Sequence, residues 1–483
     1  MKSVLPQPSR PHGLQTVLPE IDLHTDQGVA QHRQLVAALK IHIKRGTLPS
    51  GSRLPPSREA AVQLKIGRNT VVDAYAELMA LGLLESRGKQ GTFVTPPPKH
   101  AKAQAAKEPR LIERLRTSAS PQAIKLDWRL GQACIQLLPW AVWRAAAREA
   151  GRHLPPADYG DPRGMLALRE AVATWLMRER GVAYAADQIV ITQGAGQAID
   201  LLAHTLVQSG DHCVVETPSY LRAAHSLQAA GGVVSAIAVD AQGMDVSTLA
   251  ALPPAALIHI TAAHQYPMGG RLSAARRRML CEQVLRHQTL LIENEYDHEF
   301  IYTGQNFPPL AASLPQHAVL VSTFAKAISP SLRLGFIAAP LKVANAIAHA
   351  VELGRSHASW PIQCTMQWLL TSGELQKHLR RVRRHYASQR AYLLEQLATH
   401  ASEIVVSSDE GGLHFALRHR QPQLTKPLMK ELMRRGIQLQ SADEFALTAL
   451  QQSHFFLAYG QMTQQDMDAS VKELQKALRA IRV

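Results

Sequence analysis

From residue 188 onward, short β-branched runs return between stretches of helical periodicity. QIVIT (188–192), CVVET (213–217), ALIHIT (256–261), TLLIEN (289–294), AVLVST (318–323) and GFIAA (335–339) are each too short for a helix and apolar on both faces. Strands of that kind must be covered above and below, and the intervening helical stretches are the material that can cover them. The alternation predicts an α/β fold with a mostly parallel sheet between two layers of helices. Open sheets of this type bind ligands at the carboxyl ends of their strands. The polar residues that follow each run are therefore the first candidates for function.

The 483 residues exceed the roughly 250–300 at which one core stops growing, so more than one domain is expected. A long amphipathic helix at 374–399 leads into a smaller C-terminal α+β subdomain with the strands EIVVSS and GLHFAL. Residues 126–483 together make the large domain. Ahead of it, residues 95–125 (TPPPKHAKAQAAKEPRLIERLRTSASPQAIK) are rich in proline, alanine and positive charge. They read as a basic linker with a transient helix around 111–115. Residues 1–27 show no periodicity and are expected to be a flexible lead-in.

Between 28 and 94 the pattern is that of three short helices and a hairpin. Val29, Leu35, Leu39 and Ile43 mark the first helix, which Gly46 closes. Ser57 is placed as the cap of the second, SREAAVQLK, and Ile66–Asn69 as a tight turn. The third, TVVDAYAELMALG, keeps Val71, Tyr75, Leu78 and Met79 on one face, and LLESRGKQGTFV reads as a hairpin. This is a winged helix-turn-helix, whose third helix can enter the major groove of double-stranded DNA. Arg53, Arg58, Lys65, Arg68, Arg87 and Lys89 fall where phosphates would lie. Arg68, Asn69 and Thr70 open the recognition helix and can donate to base edges, while Gly91 allows the wing's backbone close to DNA.

A formal net charge of +15 agrees with a polyanionic partner. The four cysteines lack CxxC spacing and the 22 histidines are scattered, so no metal site is expected. The N-terminus carries no signal-peptide core and no run of about 18 apolar residues occurs, which leads us to expect a cytoplasmic protein without membrane partners. HExxH, G-x-S-x-G and Walker motifs are missing from the sequence.

Four strand ends offer chemistry to one crevice. In ITQGAGQAID, Gly194, Ala195 and Gly196 lie between a strand and a helix, where free N–H groups and the helix dipole can hold a phosphate. The third glycine of a dinucleotide fingerprint is missing, which excludes a nicotinamide site. ETPSY presents Tyr220, HQYPMGG forms a polar turn, and LIENEYDHEF ends its strand in polar residues. In TFAKAISPSLRLGF, Lys326 and Arg333 are the only charges in an apolar run. Burial lowers a lysine's pKa toward a reactive amine, so Lys326 either has an anionic partner or makes a covalent bond.

Residues 28–94 resemble GntR-type DNA-binding domains in GTLPSGSRLPPSREAA, GRNTVVDAYAELMALGLLES and GKQGTFV. Residues 126–483 resemble fold-type I aminotransferases in YGDPRGMLALREAV, TQGAGQAIDLLA, HQYPMG and TFAKAISPSLRLG, and the whole chain resembles the MocR/GabR-type regulators. The resemblance implies pyridoxal 5′-phosphate as cofactor, joined to Lys326 as a Schiff base. It implies Arg333, Thr323 and the amides of Gly194, Ala195 and Gly196 around the phosphate, each charge-assisted bond contributing roughly 1.5–3 kcal/mol. It also implies Tyr220 stacked on the ring, Tyr296 on the ring hydroxyl, Asn294 at the ring nitrogen and a head-to-tail homodimer.

Three departures from that pattern weigh on function. Asn294 stands where an aspartate normally keeps the ring nitrogen protonated, and a neutral amide supplies no charge there. Alternation turns Glu293 and Glu295 to the opposite face. Ala325 replaces a common serine, and SHFFLAYGQM has no arginine for a substrate carboxylate, only His454 and Phe456 nearby. The expectation is a regulator that senses pyridoxal phosphate, an amine or an amino acid; the alternative is a working aminotransferase that carries a DNA-binding module.

Overall fold

The computed structural model describes residues 18–23, 29–96, 124–302, 307–407 and 411–482. They form two compact units, one before residue 97 and one after residue 123. Most of the expected lead-in and linker, with the transient helix near 111–115, lies outside the described residues.

In the first unit, helices Gln31–Lys44, Ser57–Leu64 and Arg68–Ala80 enclose Leu35, Leu39, Leu54, Val71 and Leu78, all essentially inaccessible to water. Burial of each stabilises the unit by about 1.5–3 kcal/mol. The wing strands Leu84–Ser86 and Thr92–Val94 pair antiparallel. A third strand, Arg53–Leu54, joins them from the other side, which local pattern could not reveal. Four expectations are corrected. Val29 is exposed and precedes the first helix, and Leu18 is buried among the helices although it was placed in a flexible lead-in. Ser57 is the first helical residue and makes no cap, because Pro56 takes the cap position. The turn ends at Gly67, so Arg68 and Asn69 already belong to the recognition helix.

The second unit is built on an eight-stranded sheet whose order is 189–192, 335–338, 318–323, 290–295, 257–260, 212–217, 233–240 and 243–244. The interior strands pair in parallel, while Gly335–Ala338 runs antiparallel to both neighbours. Every residue of Ile189–Thr192, Ala318–Thr323 and Gly335–Ala338 is buried, as their unbroken apolar runs require. Val233–Asp240 was missed by the sequence reading. It lies near the sheet margin with Val233 exposed, so its pattern is too mixed to stand out.

The long helix Glu374–His400 leads to a second, antiparallel sheet of Ile404–Val406, His414–His419 and Phe455–Ala458. The start of the unit is tied to this subdomain: Leu126–Asp127 pairs in parallel with Ile437–Gln438, and the Nε1 of fully buried Trp128 donates to Ser470 Oγ at 2.9 Å. That anchorage carries the following residues, through Gly131, across the carboxyl ends of the large sheet.

Candidate functional site: a cofactor pocket and a basic head

A pocket of about 210 Å³ opens at those strand ends. Lys326, Arg333, Thr323, Gly194, Ala195, Gly196, Tyr220, Asn294 and Tyr296 all line it, so the nine residues singled out in the sequence converge. Gly131, Tyr266, Pro330 and Leu334 line it as well and were not foreseen. Tyr266 lay within HQYPMGG; Gly131 had no local signal.

One end of the pocket is made by backbone. Strand Ile189–Thr192 turns through Gly194, at φ +91°, into helix Ala195–Leu206, whose first N–H groups are left without intrahelical partners. A Cβ at Gly335 would lie 2.5 Å from the Ser322 carbonyl oxygen and 3.0 Å from Gly194 Cα, so glycine there lets the neighbouring strand approach the loop. Arg333 leaves the turn Pro330–Leu332 in left-handed conformation, φ 52°, and no carboxylate pairs with it among the described residues. Thr323 is already engaged: its hydroxyl donates to the Leu334 carbonyl and accepts from Ala325 N, both at 3.2 Å.

Lys326 follows strand Ala318–Thr323 and points into the middle of the pocket. Burial lowers its pKa to about 8, and the charge of Asp297 opposes that fall. A Cβ on Gly131 would sit 3.9 Å from Nζ. The aromatic wall is a chain of edge-on contacts, Tyr220 to Tyr266 at 6.0 Å and Tyr266 to Tyr296 at 5.3 Å between ring centres. The Tyr296 hydroxyl lies 2.9 Å from His264 Nδ1, and burial with the nearby Asp297 charge holds it firmly protonated.

On the head, Arg58, Lys65, Arg68, Asn69, Arg87 and Lys89 are exposed and Thr70 is half-buried at the start of the recognition helix. Arg87 is committed to Glu85 and lies over the Phe93 ring at 4.6 Å, so it reaches outward less freely than expected. Gly91 also has an internal reason to be glycine. Its φ is +107°, and an added Cβ would come 2.9 Å from Arg53 Nε, so that arginine packs inward against the wing.

Two family models match the chain. Residues 31–94 match bacterial regulatory proteins of the gntR family, and residues 124–474 match aminotransferase class I and II. Over 473 residues the chain is 29% identical to the probable rhizopine catabolism regulatory protein MocR of Rhizobium meliloti, covering 95% of this chain and 96% of that one. It is 31% identical to the pyridoxine biosynthesis transcriptional regulator PdxR of Corynebacterium glutamicum, over 81% of this chain and 83% of the relative. The chain belongs to the MocR-type GntR regulators. Its body superposes on a multiple substrate aminotransferase from Thermococcus profundus with a TM-score of 0.69 at 21% identity, covering 75% of this chain and 93% of that structure; this likeness shows the fold.

As a MocR-type regulator the protein has a DNA-binding head and an aminotransferase-fold body. Its acidic segment is distributed as strand alternation requires. Asn294 reaches the pocket with Oδ1 buried and without a partner among the described residues. Glu293 turns away to accept from Ala311 N at 3.3 Å, and burial raises its pKa. Glu295 also turns away, into a buried ion pair with Arg180 that keeps it ionised. Neither glutamate can stand in for an aspartate at position 294. Phe456 and His454 belong to the second sheet and its approach, and neither lines the pocket. No helix among the described residues is long and apolar enough to cross a membrane.

Proposed function

We propose that this regulator binds pyridoxal 5′-phosphate in the body and couples the state of that pocket to operator binding by the head. The observation that carries the reading is one cavity holding a lysine with a lowered pKa, an unpaired arginine, an open helix N-terminus and an orphaned buried amide oxygen. Each complements one part of the cofactor. The N–H groups at Gly194, Ala195 and Gly196 and the Arg333 guanidinium would take the phosphate dianion. Thr323 would join them by turning its proton away from Leu334. Tyr220 would cover the ring, Tyr296 would face the ring hydroxyl, Asn294 would hydrogen-bond the ring nitrogen, and Lys326 Nζ would hold the cofactor covalently.

When bound, the cofactor supplies an aldehyde carbon that an amine can attack and a ring that can accept electrons. The residues present serve the first property better than the second, because Asn294 brings no negative charge to the ring nitrogen. These residues would therefore suit exchange of Lys326 for the amine of a ligand better than repeated carbanion chemistry. The effector is the cofactor itself, an amine or an amino acid. Two heads on a homodimer would read paired half-sites on double-stranded DNA, and a ligand that changes the body can respace them.

The test is reduction of the full chain with borohydride after incubation with pyridoxal phosphate. A pyridoxyl group on Lys326, lost in Lys326→Ala while the isolated head still binds operator DNA, is the expected result. An unchanged visible spectrum in Lys326→Ala refutes the pocket assignment. Keto-acid release over many turnovers would instead support the enzyme reading, and sedimentation decides the dimer.

A further inference from the structure

Lys326 has a charged neighbour that the cofactor roles leave unused. Asp297 follows strand Leu290–Glu295 by two residues, is almost wholly buried, and accepts from His264 Nδ1 at 2.8 Å. The Tyr296 hydroxyl, 2.9 Å from the same nitrogen, also hydrogen-bonds Asp297. Asp297 and Lys326 line a crevice of about 10 Å³ beside the main pocket, room for about one water, together with Tyr266, Tyr296, His414 and Gln132.

The imidazole that orients this carboxylate is itself locked. A Cβ on Gly412 would come 2.3 Å from His264 Cε1, so the backbone at Gly412, φ +81°, lies flat against the ring. His414 packs on another side at 6.1 Å between ring centres. With rotation blocked, Nδ1 stays aimed at Asp297, and His264 Nε2 is buried without a partner among the described residues.

We propose that Asp297, oriented by His264, is the counter-ion that holds a proton at Lys326 Nζ. The other groups facing the lysine cannot take that role. Tyr220, Tyr266 and Tyr296 are kept protonated chiefly by burial. Burial holds His414 neutral, with its pKa lowered to about 4. Arg333 has the same sign as Lys326. Glu216, near Tyr296, is pushed up to about 7 by burial and is occupied by Thr261. Among the described residues, Asp297 is the one acidic side chain lining either the pocket or the crevice. Negative charge is thus supplied at the lysine nitrogen and withheld at Asn294. His264 is a positioning residue, acting only through Asp297.

The experiment has two arms, of which only the second rests on the cofactor reading. In the first, the cofactor-free full chain is trace-acetylated as a function of pH and labelling at Lys326 is read by peptide mass spectrometry. Asp297→Asn should lower the proton affinity of Nζ at least about tenfold, since an opposite charge at close range raises a lysine pKa by about one unit or more. His264→Gln should shift it the same way by less, and Asp297→Glu should recover part of the wild-type value. An unshifted midpoint in folded Asp297→Asn overturns the proposal. Should that variant not fold, an unshifted midpoint in His264→Gln does so.

In the second arm, the pH midpoint of the visible band of the cofactor-loaded chain should fall in Asp297→Asn in the same direction. If the wild type takes up no cofactor at Lys326, the functional reading fails while the first arm still decides the counter-ion. A band midpoint that ignores Asp297→Asn counts against the proposal even where the cofactor is bound.

Discussion

Replacing Lys326 by methionine should stabilise the cofactor-free body at neutral pH, and the gain should fade as the pH rises. Burial sets the folded pKa of Lys326 near 8, against about 10.4 in the unfolded chain. A base whose folded pKa lies below its unfolded value binds fewer protons when folded, so its contribution to stability improves with pH through that window. The charged amine costs about 3 kcal/mol at pH 7, about 2 at pH 9 and less than about 1 at pH 10. Methionine keeps the chain length without the charge, so the difference between variant and wild type should shrink by that amount. All six tryptophans, at 128, 140, 143, 175, 360 and 368, lie in the body. Urea unfolding followed by tryptophan fluorescence therefore reports on the body and not on the head. A gain that stays constant between pH 7 and pH 10, or a loss at pH 7, would refute a desolvated lysine and with it the physical basis for a reactive amine.

Two further outcomes follow from charge placement. Arg68→Ala should weaken operator binding and relax base preference by about 1–3 kcal/mol if its side chain reads a base edge. Lys89→Ala should instead lower the slope of log affinity against log salt by about 0.9, uniformly across DNA sequences; filter binding at several salt concentrations separates the two, and identical behaviour removes the head's assigned contacts. Arg180→Met should cost the body about 3–5 kcal/mol because Glu295 would lose its guanidinium partner while buried, keeping among the described residues only His298 Nδ1 at 3.6 Å. Changing Glu295 to methionine as well should recover much of that loss in the same urea assay, and a double variant no better than the single would count against the ion pair as the source of the cost.

What the sequence revealed depended on whether the signal was local. Ala318–Thr323 was bounded correctly from its short β-branched run, since a strand buried on both faces is apolar over most of its length and its two hydroxyls, Ser322 and Thr323, both donate to backbone carbonyls. The turn at Gly194 was legible because its glycines sit at a strand-to-helix junction. Strand Arg53–Leu54 was not legible, for its reason to exist is the far edge of the wing. Gly131 was equally silent, because its left-handed backbone, φ +98°, and its place beside Lys326 follow from the pairing of Leu126–Asp127 with Ile437–Gln438 rather than from any local pattern. The segment from Glu293 to Glu299 shows where the alternation rule stops. Up to Glu295 the chain is extended and sides alternate, so Asn294 alone of these residues faces the pocket. Beyond Glu295 the strand ends, and Asp297 is free of that rule; it turns back to the pocket side, where only the folded positions of His264 and Lys326 disclose its purpose.

The distribution of charge in the body also bears on why a regulator would keep an aminotransferase fold. Electron withdrawal into a pyridine ring needs a proton on the ring nitrogen, and a neutral amide such as Asn294 lends that proton no support. Were a cofactor aldehyde held at Lys326 Nζ, attack by an amine would need a proton at that nitrogen instead, and Asp297 lines the same crevice as Lys326. One negative charge placed at the lysine rather than at the ring nitrogen favours reversible exchange of amines over bond cleavage next to them. On the proposed reading this would be the useful half of the chemistry for a sensor, whose pocket must exchange its occupant without altering it.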